Sequence, residues 1–258
     1  MGAAIAEQDK DPFYVGYLPL PAAIKRFILP WLVGNFVLAV GIAAVVALQD
    51  REPGDGVWDT SQPIVIKGAL RKDPYPVLKT IGQEGISTYI LVEQGKIGVQ
   101  KRVSQMSEGS CTVTGYLIER DGRKIIELDN SITQPIAKIN GSLYRWSDPE
   151  DLGTHTLRGE IVDPKCYLGV MQPGDGKTHK VCATLCIKGG IPPMLLVRGK
   201  QGKTAAYLLT DAEGNAFPES HHEYIADPIE VTGRVLRDGD LLVFRADLTS
   251  IRRLGVGD

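Results

Sequence analysis

"CTVTGYLIERDGRKIIELDNSI" (residues 111–132) and "IEVTGRVLRDGDLLVFRADLTSI" (residues 229–251) are two versions of one pattern. Each alternates apolar and polar residues, turns at an Asp-Gly pair (Asp121-Gly122, Asp238-Gly239), and resumes the alternation. A period of two broken by Asp-Gly is the sequence signature of a β-hairpin. The likeness continues upstream. "VIKGALRKDPYPVL" (65–78) matches "TLRGEIVDPKCYLG" (156–169), with Gly68 against Gly159 and Asp73-Pro74 against Asp163-Pro164. "TYILVEQGK" (88–96) matches "AAYLLTDAEGN" (205–215), and "VTG" recurs at 113–115 and 231–233. An internal repeat of this kind organises the whole chain. It predicts a mainly β protein with two tandem small antiparallel barrels of about five strands, each OB-like, over 63–145 and 154–254.

The second copy is longer between its matched glycines (159 to 233, against 68 to 115), and much of the surplus falls within 165–193. A barrel needs no such insert to close, and functional groups sit preferentially on loops carried by a rigid scaffold. The insert holds Cys166, His179, Cys182 and Cys186. "THKVCATLCIKGG" (178–190) reads as a short helix, with Thr178 as N-cap and Gly189 just past its end. On such a helix His179, Cys182 and Cys186 share one face. With Cys166 from the neighbouring strand end they predict a Cys₃His metal site, whose soft ligands suit zinc or copper(I). Two other readings stay open. In an oxidising compartment Cys166 can pair with Cys182 or Cys186 as a disulfide staple. Val181, Cys182, Leu185 and Cys186 also form an ordinary apolar stripe. Cys111 aligns with Ile229 and reads as a small hydrophobe pointing into the first barrel.

The pattern "GEIVDPKC … HKVCATLCIKGG" followed by a "VTG" strand resembles an uncharacterised family of exported bacterial OB-like domains, over roughly Leu157 to Leu254. That family joins an Asp-x-x-Cys near the first strand to a later cysteine-bearing helix. The resemblance implies an exported β-barrel with a cysteine cluster and brings no activity with it.

The N-terminal region sets the expected compartment. Residues 27–48, "FILPWLVGNFVLAVGIAAVVAL", carry no charge. At the α-helical rise they span about 33 Å, enough for a bilayer core. Lys10, Lys25 and Arg26 precede the segment, whereas Arg51 follows among Asp50, Glu52 and Asp55. The positive-inside rule then predicts a cytoplasmic tail (1–26), a single membrane helix (27–49), a linker (50–62) and both barrels in the periplasm. A cleaved signal peptide is the rival, with "VVA" (45–47) as cleavage motif, although 26 residues before the apolar run is long for one. Asn35, Ala39, Ala43 and Ala47 recur every four residues, a face suited to a helix of an integral membrane partner.

Other classes are set aside. The 29 basic and 31 acidic residues and 7% aromatic content leave no electrostatic or stacking footprint for nucleic acid. "MQPGDGKT" (171–178) lacks the first glycine of a phosphate loop. His221 and His222 read as loop residues. No catalytic triad is legible. The expectation is a non-catalytic, periplasm-facing accessory or electron-transfer subunit of a membrane complex, with a metal or redox centre. The alternatives are a disulfide-stapled adaptor and a thiol- or metal-dependent oxidoreductase using Cys182 or Cys186 with His179.

Overall fold

The computed structural model describes residues 21–49, 56–83, 85–141, 146, 148–169, 171–199 and 203–255. The chain divides into two units, Met1–Glu52 and Pro53–Asp258. The first contains one helix, α1 (Ala22–Gln49), with Pro30 inside it. Its stretch Ile24–Leu48, mean hydropathy 2.3, is long and apolar enough to cross a membrane, a property that signal sequences share. Asn35 donates its side-chain Nδ2–H to Trp31 O four residues back (2.8 Å), so its amide is partly satisfied within the helix.

The second unit holds two closed five-strand barrels. In the first, β2 (Ile64–Arg71), β3 (Val77–Gly82), β4 (Gly85–Val92), β5 (Gly109–Arg120) and β6 (Arg123–Leu128) pair in the order β2-β3-β4-β6-β5, and β5 returns to β2. All of these neighbours are antiparallel except β4 with β6. Two short strands add to β5 from outside: β1 (Val57–Trp58), within the expected linker, and β7 (Ile136–Lys138). A single turn, α2 (Gln100–Val103), lies between β4 and β5.

In the second barrel, β8 (Glu150–Val162), β9 (Met194–Arg198), β10 (Thr204–Asp211), β11 (Pro228–Asp238) and β12 (Leu241–Ala246) repeat the same order, again with one parallel pair, β10 with β12. A further short strand, β13 (Arg252–Arg253), edges β11. The repeat holds in register. Gly68 lies opposite Cys111, and Gly159 opposite Ile229. A Cβ at Gly68 would come 2.5 Å from Lys79 O, and one at Gly159 2.3 Å from Leu196 O. Both glycines therefore let the first strand of a barrel bend closely over the second.

Three apolar clusters account for strands that depart from the expected alternation. Leu78, Leu91 and Ile126 fill the first barrel, and Leu195, Leu209 and Phe244 fill the second. Their sequence neighbours Val77, Ile90, Val92, Ile125, Met194, Leu196 and Leu208 face the other way and form one core between the barrels. Strands buried on both faces lose the alternation that a half-exposed sheet shows.

Candidate metal centre

The connection from β8 to β9 begins with Asp163. Its Oδ1 accepts from Lys165 N (2.9 Å) and caps the single turn α3 (Pro164–Leu168), with Pro164 at the first helical position. This turn carries Cys166 into the core between the barrels. After a 3₁₀ turn at Lys177–His179, α4 (Lys180–Lys188) carries Cys182 and Cys186. The helix therefore starts later than the sequence suggests. Gly176, at φ +73°, opens the 3₁₀ turn, and His179 N donates back to Gly176 O (3.0 Å). Thr178 does not cap the helix; His179 occupies the N-cap position. At the other end the left-handed residue is Gly190 (φ +98°), one beyond the Gly189 expected there.

The four expected ligands do not form one set of mutually close atoms. They enter two groups that share Cys166, each with ligand atoms within 4.8 Å of one another: Cys166, His179 and Cys182; and Asp163, Cys166 and Cys186. No disulfide joins any of the four cysteines. Each group contains a buried residue with a polar atom that no oxygen or nitrogen donor or acceptor satisfies. His179 is 5% exposed and Asp163 fully buried. Nε2 of His179 has no hydrogen-bond partner, and Oδ2 of Asp163 has none beyond the Cys166 and Cys186 thiols that lie against the carboxylate. Unsatisfied buried groups of this kind are costly, and a ligand is a normal explanation for them. These residues can hold a metal ion: thiolates, an imidazole and a carboxylate are ordinary zinc donors.

The electrostatics are those of crowded thiols. A hydrogen bond to Cys186, then burial and the Asp163 charge, push the Cys166 thiol up. The same thiol–thiol hydrogen bond, with help from the Lys96 charge, holds Cys186 below its ordinary value against burial and Asp163. Cys111 is a different case. It lies in the core of the first barrel, and burial alone pushes its thiol up to about 11.

The first barrel contributes to the site, which the sequence did not signal. Lys96, between β4 and α2, places Nζ 2.6 Å from Cys182 Sγ and 3.6 Å from Cys186 Sγ. That contact, first, and the nearby cysteines hold its ammonium above the usual lysine range. The loop carrying it is clamped at two points. Gly98 N donates to Gly189 O (2.9 Å), and Gln100 Nε2 donates to Gly190 O (2.6 Å). A Cβ on Gly189 would fall 1.8 Å from Lys96 O, so the backbones meet only because this residue is glycine. In return Lys165, itself buried, reaches into the first barrel. Its Nζ contacts Glu127 Oε1 (2.7 Å), Glu93 O (2.8 Å) and Gly95 O (2.7 Å). All three ammonium protons thus have acceptors.

Of the residues missed, Asp163 had a usable signal in its Asp-x-x-Cys spacing and its cap position. Lys96 had none, because it lies far from the cysteines in sequence. His221 and His222 belong to an ordered 3₁₀ turn (Glu219–Tyr224), where His222 stacks on Phe217 with centroids 6.0 Å apart. Among the described residues both candidate metal groups are those around Cys166.

Compared with protein-family models, curated proteins and solved structures, the chain finds no match. The reading of the site therefore rests on its own chemistry.

Proposed function

We propose that this chain is a membrane-anchored metal-binding protein whose second barrel carries a cysteine–histidine metal centre, and that it serves as a non-catalytic accessory or electron-transfer subunit of a membrane complex. The observation that carries the metal reading is the pairing of close thiols with a buried imidazole and a buried carboxylate, His179 and Asp163. A disulfide staple would leave His179 Nε2 without a partner. The soft donors favour zinc or copper(I). Lys96 then donates an N–H to a ligand thiolate, the kind of outer contact that orients a metal site and tempers its charge.

The barrels are OB-like on this reading. The shared strand order, with its one parallel pair, fits a five-stranded Greek-key barrel, and the cysteine connection joins its first two strands, a common position for OB binding groups. The charge asymmetry around α1 supports an N-terminus in the cytoplasm and barrels in the periplasm. The exposed Asn35, Ala39, Ala43 and Ala47 face suits an integral membrane partner.

One observation favours a second reading. Cys182 is only partly buried and lies against the Lys96 ammonium, a setting that suits a reactive thiol. A thiol–disulfide oxidoreductase would use Cys182 with Cys166 or Cys186.

The test is metal analysis of the full chain purified in detergent under reducing conditions, beside His179→Ala. Bound metal that falls in the variant supports the centre. Metal-free protein that readily forms a Cys166 disulfide favours the thiol reading.

A further inference from the structure

We infer that the site takes two divalent metal ions bridged by the Cys166 thiolate, and not one ion held by three cysteines and a histidine. This rests on the metal reading above and goes beyond it in nuclearity and in the role of Asp163.

The donors sort themselves into two threes. Cys166, His179 and Cys182 lie within 4.8 Å of one another, as do Asp163, Cys166 and Cys186, and Cys166 is the one member common to both. An ion in the first group engages the His179 imidazole and not the Asp163 carboxylate; an ion in the second does the reverse. With the donors grouped in this way, two ions are needed to engage both the buried imidazole and the buried carboxylate. A thiolate sulfur has lone pairs enough to bridge, and two-metal sites have their ions about 3.5–4 Å apart, a separation that one shared sulfur permits.

Charge is compatible with two ions. Asp163 is fully buried, Cys186 1% exposed and Cys166 8% exposed. Two divalent ions balance three thiolates and one carboxylate, with the imidazole neutral. A single divalent ion in either group, with the unbound thiol protonated, leaves one negative charge, which the Lys96 ammonium can balance, so charge permits either nuclearity and the grouping of the donors decides. In loading, the metals displace three thiol protons to solvent, while Asp163 binds as the carboxylate. Each ion keeps an open position beyond its three protein donors, as tetrahedral catalytic or exchange-competent sites do.

The experiment loads the reduced, metal-free full chain in detergent with Zn²⁺ alone, without oxygen, removes excess, and measures zinc per chain. Asp163→Asn retains the side-chain oxygen that caps α3, so folding is preserved, and circular dichroism of each variant checks it. The expected result is two zinc ions in the wild type, halved in Asp163→Asn and halved in His179→Ala. One ion in the wild type, lost in His179→Ala and kept in Asp163→Asn, overturns the two-ion site and leaves the single metal centre standing. Two ions that persist in Asp163→Asn overturn the assignment of Asp163. No tightly held zinc in the wild type overturns both readings.

Discussion

The two barrels share strand order, glycine positions and the Asp-Gly hairpin, yet they differ where the first strand passes to the second. In the first barrel that connection is residues 72–76; in the second it is residues 163–193. Both carry Asp-Pro at or near their start (Asp73-Pro74, Asp163-Pro164), and both send a side chain into the other barrel. Tyr75 Oη donates to Leu209 O (3.0 Å) and accepts from Phe217 N (2.7 Å). Lys165 reaches Glu93, Gly95 and Glu127. The hairpins also exchange contacts. Thr88 N donates to Asp240 Oδ2 (3.0 Å), and Thr204 Oγ1 donates to Asp121 Oδ2 (2.8 Å). The barrels therefore meet through the same surface on each, as the subunits of a two-fold dimer do, but within one chain. The difference teaches what the long connection is for. Packing needs only the short version; the long version adds thiols, an imidazole and a carboxylate at the seam. The first barrel keeps the packing role and supplies Lys96.

This comparison can be broken at several points. Lys165→Met should have the largest effect, since it leaves Glu127 as an uncompensated charge beneath the seam, and loss of one partner of a buried pair costs about 3–5 kcal/mol. Denaturant unfolding reads it; a loss under 1 kcal/mol would mean that the seam does not exclude water at Glu127.

Gly189→Ala comes next. Its Cβ overlaps Lys96 O, so the loop must move, at about 2–3 kcal/mol for overpacking. Lys96 moves with it, so metal should also exchange faster than in wild type. Unchanged stability and exchange would separate the first barrel from the site.

Gly68→Ala and Gly159→Ala sharpen the comparison as a matched pair. Each Cβ meets a carbonyl oxygen of the adjacent strand, and each should cost about 1–3 kcal/mol, similar in the two barrels. A large inequality would show that the repeat is one of sequence without equal strain.

Tyr75→Phe should be the mildest, about 1–2 kcal/mol, for a ring that stays packed while Leu209 O and Phe217 N lose a buried partner. No loss in thermal unfolding would mean that water replaces the hydroxyl.

Much of this was legible in the chain. The Asp-Gly hairpins and matched glycines foretold paired β-domains, because turn chemistry and close backbone approach demand particular residues at particular places. Cys111 as a buried residue of the first barrel was readable from its alignment with Ile229. The shared seam was not foreseen from the alternation, although the unbroken runs "VL", "ILV", "II" and "MLL" (77–78, 90–92, 125–126, 194–196) are what strands buried on both faces look like. The site was legible only in its local part. Cysteine and histidine spacing drew attention to 166–186. The offset of His179 from α4 depends on the left-handed Gly176, and Asp163 first declares itself as a cap. Lys96 belongs to a different barrel, and only the docking of the two brings it to Cys182. Long-range pairing of that sort leaves no period in a sequence.

X-ray absorption at the edge of the metal that accompanies the detergent-purified, full-length protein tests the central claim most directly. The account predicts a first shell containing sulfur at about 2.3 Å together with lighter nitrogen or oxygen donors at about 2.0–2.2 Å. A shell of light atoms alone, or a metal-free chain with Cys166 in a disulfide, would contradict it.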